Sequence, residues 1–241
     1  MKTPLIKMEN IHKWFGNVKA LEDVDFIVDE EEIVGLVGDN GAGKGSLAKI
    51  LAGIYSPNKG KIFIKGEKVK LNSSRDAIKR GIETLYQETA VIDKLNIMRN
   101  LFLGREITNR FGLLKKQQMA KETEKALNMI NIGYMSPHIF VNNLSGGQRQ
   151  GVSIARALYF KTRILILDEP TNNISVKESS KILDMVVKVK AEGISSIFIT
   201  HKIYDVYKIC DRIVVLRHGK VLANFMKEDT SVDEITKLLS E

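Results

Sequence analysis

Residues 38–44 read Gly-Asp-Asn-Gly-Ala-Gly-Lys and follow an apolar run at 33–37. Glycines let backbone N–H groups turn inward and close on phosphate oxygens. A helix predicted over 46–52 would add a favourable dipole for an anion. Lys44 would reach the β- and γ-phosphates of a nucleotide. Gly38, Asp39, Asn40, Gly41, Ala42, Gly43 and Lys44, with Gly45 and Ser46 behind them, therefore form a predicted phosphate cradle of the P-loop type. ATP is the expected ligand. One position departs from the pattern, which places a Mg²⁺-ligating Ser or Thr directly after the lysine. Here that residue is Gly45, and Ser46 follows. A hydroxyl one place later points about 100° further round a helix. Glycine in a helix costs up to about 1 kcal/mol against alanine, so helix stability does not explain Gly45.

Other residues could complete such a site. Asp168 closes the apolar run 164–167, where an aspartate can bind Mg²⁺, and Glu169 follows it as a group able to orient or deprotonate a water. An acidic pair at a strand end is by itself common at surfaces; the preceding run and the following Pro170-Thr171 make it more specific. His201 follows the run 197–199 after Thr200, and Gln87 ends the strand-like segment 82–86. Each of these two, taken alone, reads as an ordinary polar residue at a strand end. Leu144-Ser145-Gly146-Gly147-Gln148 precedes a helical stretch. Ser145 and Gln148 suit a capping box, but two glycines in a first turn disfavour a helix and favour close approach to an anion.

Something must bring these segments together. The runs at 33–37, 164–167, 197–199 and 213–216 are continuously apolar, as strands buried on both faces of a parallel sheet are. Three of them end in polar or phosphate-binding groups, and ligands bind at the carboxyl edge of such sheets. Segments 6–27 and 61–70 read as short strands of a small antiparallel sheet, while 96–161 is mostly helical, with 115–132 rich in helix formers. The expected class is α/β in a single domain over 1–241. A β subdomain with the phosphate-loop core takes 1–87 and 162–222, a helical subdomain 88–161, and a C-terminal helical tail 223–241.

The 241 residues, 44% hydrophobic and 27% charged, suit one ordinary globular domain. No apolar run approaches the roughly 20 residues of a membrane span, and no signal peptide is visible. The single Cys210 excludes an internal disulfide framework and reads as a small apolar residue in a reducing cytosol. The net charge of +8 is spread along the chain, densest at Lys59, Lys61, Lys65, Lys68 and Lys70. No aromatic-interleaved basic repeat accompanies it, so a solvated surface is expected and nucleic acid is not an expected partner.

With these residues assembled, the chain resembles the ATP-binding cassette (ABC) family along nearly its whole length, and specifically the nucleotide-binding subunits of importers. Leu-Ser-Gly-Gly-Gln at 144–148, with a P-loop upstream and Asp-Glu-Pro-Thr at 168–171, carries the resemblance. Gly-Asp-Asn-Gly-Ala-Gly-Lys, Tyr86-Gln87-Glu88, the run 100–106 and Glu169-Pro170-Thr171-Asn172-Asn173 resemble the carbohydrate (monosaccharide) branch. The resemblance implies a P-loop NTPase core with a mainly parallel sheet, a small antiparallel subdomain and an inserted helical signature subdomain. It implies that Phe15 stacks on adenine. Gln87 would sense Mg²⁺ and the attacking water, sharing the metal with Asp168. Glu169 and His201 would be catalytic, His201 holding the γ-phosphate. Ser145, Gly146 and Gly147 would meet the nucleotide of a second subunit, the same chain or another. Transmembrane permease subunits, and indirectly a solute-binding protein, would be partners at the cytoplasmic face of the cell membrane. Ser175 stands where many cassettes carry an aspartate.

Solute import driven by ATP hydrolysis, with sugar the expected cargo, is the leading reading. Gly45 supports an alternative, a nucleotide-binding subunit with impaired hydrolysis. The positive charge supports another, an ABC ATPase acting on nucleic acid, but neither tandem cassettes nor a long coiled-coil insertion is visible.

Overall fold

Four of the apolar runs become strands for the reason their composition suggests: each has a hydrophobic layer on both sides. A computed structural model describes residues 3–86, 91–130 and 135–240. In chain order its strands are β1 (Ile6–Phe15), β2 (Val18–Val28), β3 (Ile33–Val37), β4 (Lys59–Ile64), β5 (Glu67–Val69), β6 (Ile82–Leu85), β7 (Ile164–Asp168), β8 (Ser195–Thr200), β9 (Arg212–Arg217) and β10 (Lys220–Met226). Its helices are α1 (Lys44–Leu51), α2 (Ser74–Lys79), α3 (Ile97–Leu101), α4 (Lys116–Met129), α5 (Gly146–Tyr159), α6 (Val176–Ala191), α7 (Ile203–Ile209) and α8 (Val232–Ser240).

The larger sheet has the order β10-β9-β3-β8-β7-β6, parallel except for the edge pair of β9 with β10. Successive side chains of a strand point to opposite faces. Val34, Leu36, Ile164, Ile166, Ile197 and Ile199 accordingly join one core with α1 and the antiparallel sheet β2-β1-β4-β5. Ile33, Val37, Leu165, Leu167, Phe198 and Val215 join the other core, with residues of α4, α5, α6 and α7. This double cover is why no polar alternation marks these strands in the sequence.

The chain between β6 and β7 is tied to the sheet by a buried charge cluster. Glu83 of β6 is 6% exposed and lies 2.9 Å from Arg105 Nη2 and 2.8 Å from Arg156 Nε of α5. Thr162 Oγ1 donates to the same carboxylate at 3.2 Å. A buried acid is tolerable only with such partners.

Two expectations need correction. The helix after the phosphate loop starts at Lys44 rather than 46, because Gly43 takes a left-handed conformation (φ 107°) and caps it. The expected helical tail from 223 begins as strand: β10 runs to Met226, and the helix α8 starts only at Val232. β10 lies at the edge of the sheet and is exposed at alternate positions, so its weak pattern hid it. Cys210 is buried, and burial pushes its thiol up to about 12, as expected of a packing residue. Among the described residues no helix is long and apolar enough to cross a membrane.

Candidate nucleotide site

β3 runs through the middle of the sheet and delivers the phosphate loop between β9 and the antiparallel layer. A Cβ on Gly38 would stand 2.2 Å from the Leu216 carbonyl oxygen of β9. A Cβ on Gly43 would stand 2.6 Å from the Ala20 carbonyl oxygen of β2. The glycines thus let the loop press against both sheets. The Ala42 N–H donates to the Asp39 carbonyl (3.1 Å), and the Gly219 N–H donates to the Ala42 carbonyl (2.9 Å). Lys44 is 7% exposed and curls over its own loop, donating to the carbonyls of Gly38 (2.6 Å) and Asp39 (3.0 Å). Burial lowers its pKa, while Glu169, Asp168 and Asp39 pull it back. Their combined effect places these three carboxylates in the field of the lysine. Gly45 lies in the first turn of α1, and among the described residues a Cβ there would meet nothing within 4 Å.

The carboxyl ends of β7 and β8 supply the acids and their holders. Burial and the neighbouring Glu169 raise the pKa of Asp168, against the pull of Lys49 and Lys44. Glu169 is 8% exposed and sits at φ 51°, a conformation costing a non-glycine residue on the order of 1 kcal/mol. Its N–H donates to the Ile199 carbonyl (2.9 Å), and the Thr200 hydroxyl donates to its Oε2 (3.2 Å). His201 Nδ1 lies 2.9 Å from its Oε1. A carboxylate can only accept, so Nδ1 carries the hydrogen. The Thr200 oxygen in turn accepts from the Lys202 N–H (3.0 Å), and Lys202 Nζ donates to the Thr171 carbonyl (2.7 Å). Thr200, Lys202 and Lys49 were not picked out from sequence as site residues. The signal available was a polar residue closing an otherwise apolar strand.

Phe15 closes β1 and is 43% exposed, its ring edge-on to Tyr55 with centroids 5.1 Å apart. Lys13 Nζ lies 4.9 Å from the Phe15 ring, and Lys49 of α1 lies 5.7 Å from the Tyr55 ring. The aromatic is thereby linked to the helix that starts at Lys44. Gln87 falls outside the described residues.

The segment 145–147 forms a second group. Ser145 caps α5, and both halves of the capping box with Gln148 are made. A Cβ on Gly146 would stand 2.9 Å from Ile174 Cγ2, and one on Gly147 would stand 3.3 Å from Glu178 Cβ. The two glycines therefore also serve packing against the start of α6, in addition to the anion approach expected of them. Ser175 caps α6 in place of an aspartate, accepting from the Glu178 N–H at 3.2 Å.

The phosphate loop, the acid pair at the end of β7 and the glycine-rich turn of α5 occur together in one known arrangement. Residues 21–172 match the family model described as ABC transporter. The chain belongs to the ABC transporter family. It is 44% identical over 236 residues to the xylose/arabinose import ATP-binding protein of Sulfolobus acidocaldarius, covering 98% of this cassette and 94% of that protein. It is 38% identical over 237 residues to the ribose import ATP-binding protein of Hahella chejuensis, covering 98% of this cassette but 47% of that longer protein. The galactose/methyl galactoside import ATP-binding protein of Clostridium perfringens is 38% identical over 235 residues, with coverages of 98% and 45%. Among solved structures, an ABC transporter cassette in its ADP conformation matches with TM-score 0.83 at 24% identity, covering 99% of this chain and 95% of that one, a likeness of fold. A dimeric cassette captured after hydrolysis with ADP and Pi matches with TM-score 0.77 at 27% identity, covering 92% and 98%.

ATP and Mg²⁺ are the cofactors of this family, and its ATP-binding members are ATPases. The residues present fit that pair. The glycines let the loop at 38–44 close against both sheets, and among the described residues no carboxylate is bonded to Lys44, a buried cation. Asp168, its pKa raised by burial and by Glu169, is the acid a cation would relieve. Among the described residues no three His, Cys, Asp or Glu converge into a metal cage.

Proposed function

We propose that this cassette is the ATP-hydrolysing subunit of a sugar importer, acting as a dimer beneath transmembrane permease subunits at the cytoplasmic face of a membrane. The observation that carries hydrolysis is Glu169, buried and gripped by Thr200 and His201 at the sheet edge that also presents Lys44 and Asp168. Lys44 and the loop N–H groups hold the phosphates. Glu169 orients the attacking water and takes its proton. His201, bonded to Glu169, steadies the γ-phosphate side of the site. Asp168 and Gln87 would hold Mg²⁺, which would supply positive charge to the phosphates. Ser145 and Gly147 meet the γ-phosphate bound to the second subunit. Sugar as cargo is supported by three relatives named for pentose, ribose and galactose import. A solute-binding protein would choose the cargo upstream.

Gly45 favours one alternative, a cassette that binds nucleotide but hydrolyses it poorly. Among the described residues a Cβ at this position meets nothing within 4 Å, which makes Gly45→Ser a suitable test. ATPase turnover with the permease, measured for the parent and Gly45→Ser across Mg²⁺ concentrations, separates the two. If the parent turns over and Gly45→Ser changes little, the hydroxyl is dispensable here and the import reading stands. A silent parent awakened by Gly45→Ser favours the alternative. A parent and a variant both silent with a competent permease refute hydrolysis by this chain.

A further inference from the structure

One carboxylate joins the signature turn to the start of α6. Glu178 lies in the first turn of α6. On one side the Ser175 hydroxyl donates to its Oε2 at 3.3 Å. On the other side a Cβ on Gly147 would stand 3.4 Å from Glu178 Cγ and 3.5 Å from Oε1, so the carboxylate lies against the first turn of α5. Ser145 and Gly147 line the same cleft as this carboxylate. The nearby Ser145 hydroxyl foremost, with groups of Ser175 and Gly147, holds the carboxyl below its ordinary range.

Ser145 has one hydroxyl hydrogen to give. Its oxygen already accepts from the Gln148 N–H (3.3 Å) as the cap of α5, so an anion can be offered only that hydrogen. In this structure the Glu178 carboxylate lies against that helix end. A glutamate at the third position of a capped helix explains the bonds to Ser175. It does not explain why the carboxylate also reaches a serine and a glycine on another helix. In the proposed dimer the same hydrogen and the same N–H must meet a γ-phosphate. Two anions would then contend for one helix end.

We propose that Glu178 is a built-in anion at the signature turn. It holds Ser145 and Gly147 in the lone cassette and must release them before ATP on a second copy can be clasped. It therefore sets the ATP concentration at which two copies close. This rests on the reading that Ser145 and Gly147 serve the nucleotide of a second subunit. The structure provides a place for the released carboxylate. A cleft of about 690 Å³ is lined by Ser145, Gly147, Gln148, Glu178 and Lys181. Lys181 lies three residues on from Glu178, within reach on the same helix face.

The test measures ATP-dependent dimerisation of the whole chain by light scattering, with Glu169→Gln present throughout to suppress hydrolysis. Glu178→Gln keeps the size and the cap of α6 but removes the charge. Its half-saturating ATP concentration for dimerisation should fall about tenfold, equivalent to ~1.4 kcal/mol. Glu178→Asp withdraws the carboxylate by one methylene and should shift the same way by less. Binding of a fluorescent ATP analogue to the single chain should be equal in all three proteins, because that nucleotide sits on the phosphate loop. A glutamate that merely braces the turn gives the opposite sign, with both variants closing less readily. That result, or no shift, or no dimer in any of the three despite normal analogue binding, overturns the proposal and leaves ATP binding intact. Should Glu178→Gln fail to fold, the sign shown by Glu178→Asp decides. Loss of analogue binding by the parent would remove the ATP reading itself, and this proposal with it.

Discussion

In the proposed function the phosphate loop with its acids and the glycine-rich turn of α5 both meet phosphate, yet their groups are engaged to different degrees. At the sheet edge the groups are buried and mutually engaged: Lys44 over its loop, and Glu169 between Thr200 and His201. At the turn of α5 the donors lie open to a cleft that a carboxylate of their own chain, Glu178, also lines. The first gathers its charged groups within one chain. In the proposed dimer the second would meet a nucleotide held by another copy.

The strongest blow to this contrast would fall on Glu169. Glu169→Gln should cut ATP turnover by about 10²–10⁴-fold, the range of a lost general base, while binding of a fluorescent ATP analogue persists. Turnover unaffected by this change would remove the assigned base and with it the hydrolytic role of the sheet edge.

The next test asks whether the two regions ride on one body. Glu83→Ala leaves Arg105 and Arg156 without their shared buried partner. Breaking such a cluster typically costs about 3–5 kcal/mol. Urea unfolding should show that loss, and a change under about 1 kcal/mol would mean that the helices between β6 and β7 are attached by packing alone.

Ser145→Ala separates the halves more gently. Loss of the cap of α5 should cost ~1 kcal/mol in thermal unfolding. Analogue binding to the single chain should not change, whereas turnover by the dimer with its permease should fall about tenfold. An equal loss of binding in the lone cassette would show that the turn serves its own nucleotide after all.

The smallest effect concerns Asp168. Its raised pKa means that the folded protein holds this proton more tightly than the unfolded chain does. Stability is therefore lost as pH rises through the ordinary carboxylate range up to the raised value. Asp168→Asn should remove that part of the pH dependence and stabilise the nucleotide-free protein at neutral pH by up to about 1 kcal/mol, at the expense of Mg²⁺-dependent turnover. Thermal melts at pH 4 and pH 7 provide the check, and equal shifts at both would mean that the carboxylate carries no such burden.

Much of this contrast was legible in the sequence, though unevenly. The phosphate loop, the acid pair and the glycine-rich turn are contiguous motifs, and contiguous motifs fix local backbone geometry by glycine placement and helix capping. The parallel sheet was legible because a strand covered on both faces has no polar positions at all, as in 33–37 and 164–167. β10 was not, since an edge strand with one covered face leaves too weak a pattern over seven residues.

The sequence by itself determined which chemistry the chain can perform, because the donors and acids are residue types at set spacings along single segments. It also placed Gly45 where a hydroxyl is expected, but not what surrounds it. Only the tertiary structure decided that the position is open, that Thr200 grips Glu169, and that Glu178 reaches back to Ser145 and Gly147. Those pairings are 31 residues apart in one case and 33 in the other, and no local periodicity encodes them. They exist because β7 and β8 lie side by side in the sheet and α6 packs on α5. That packing is set by the two-sided burial of the sheet as a whole.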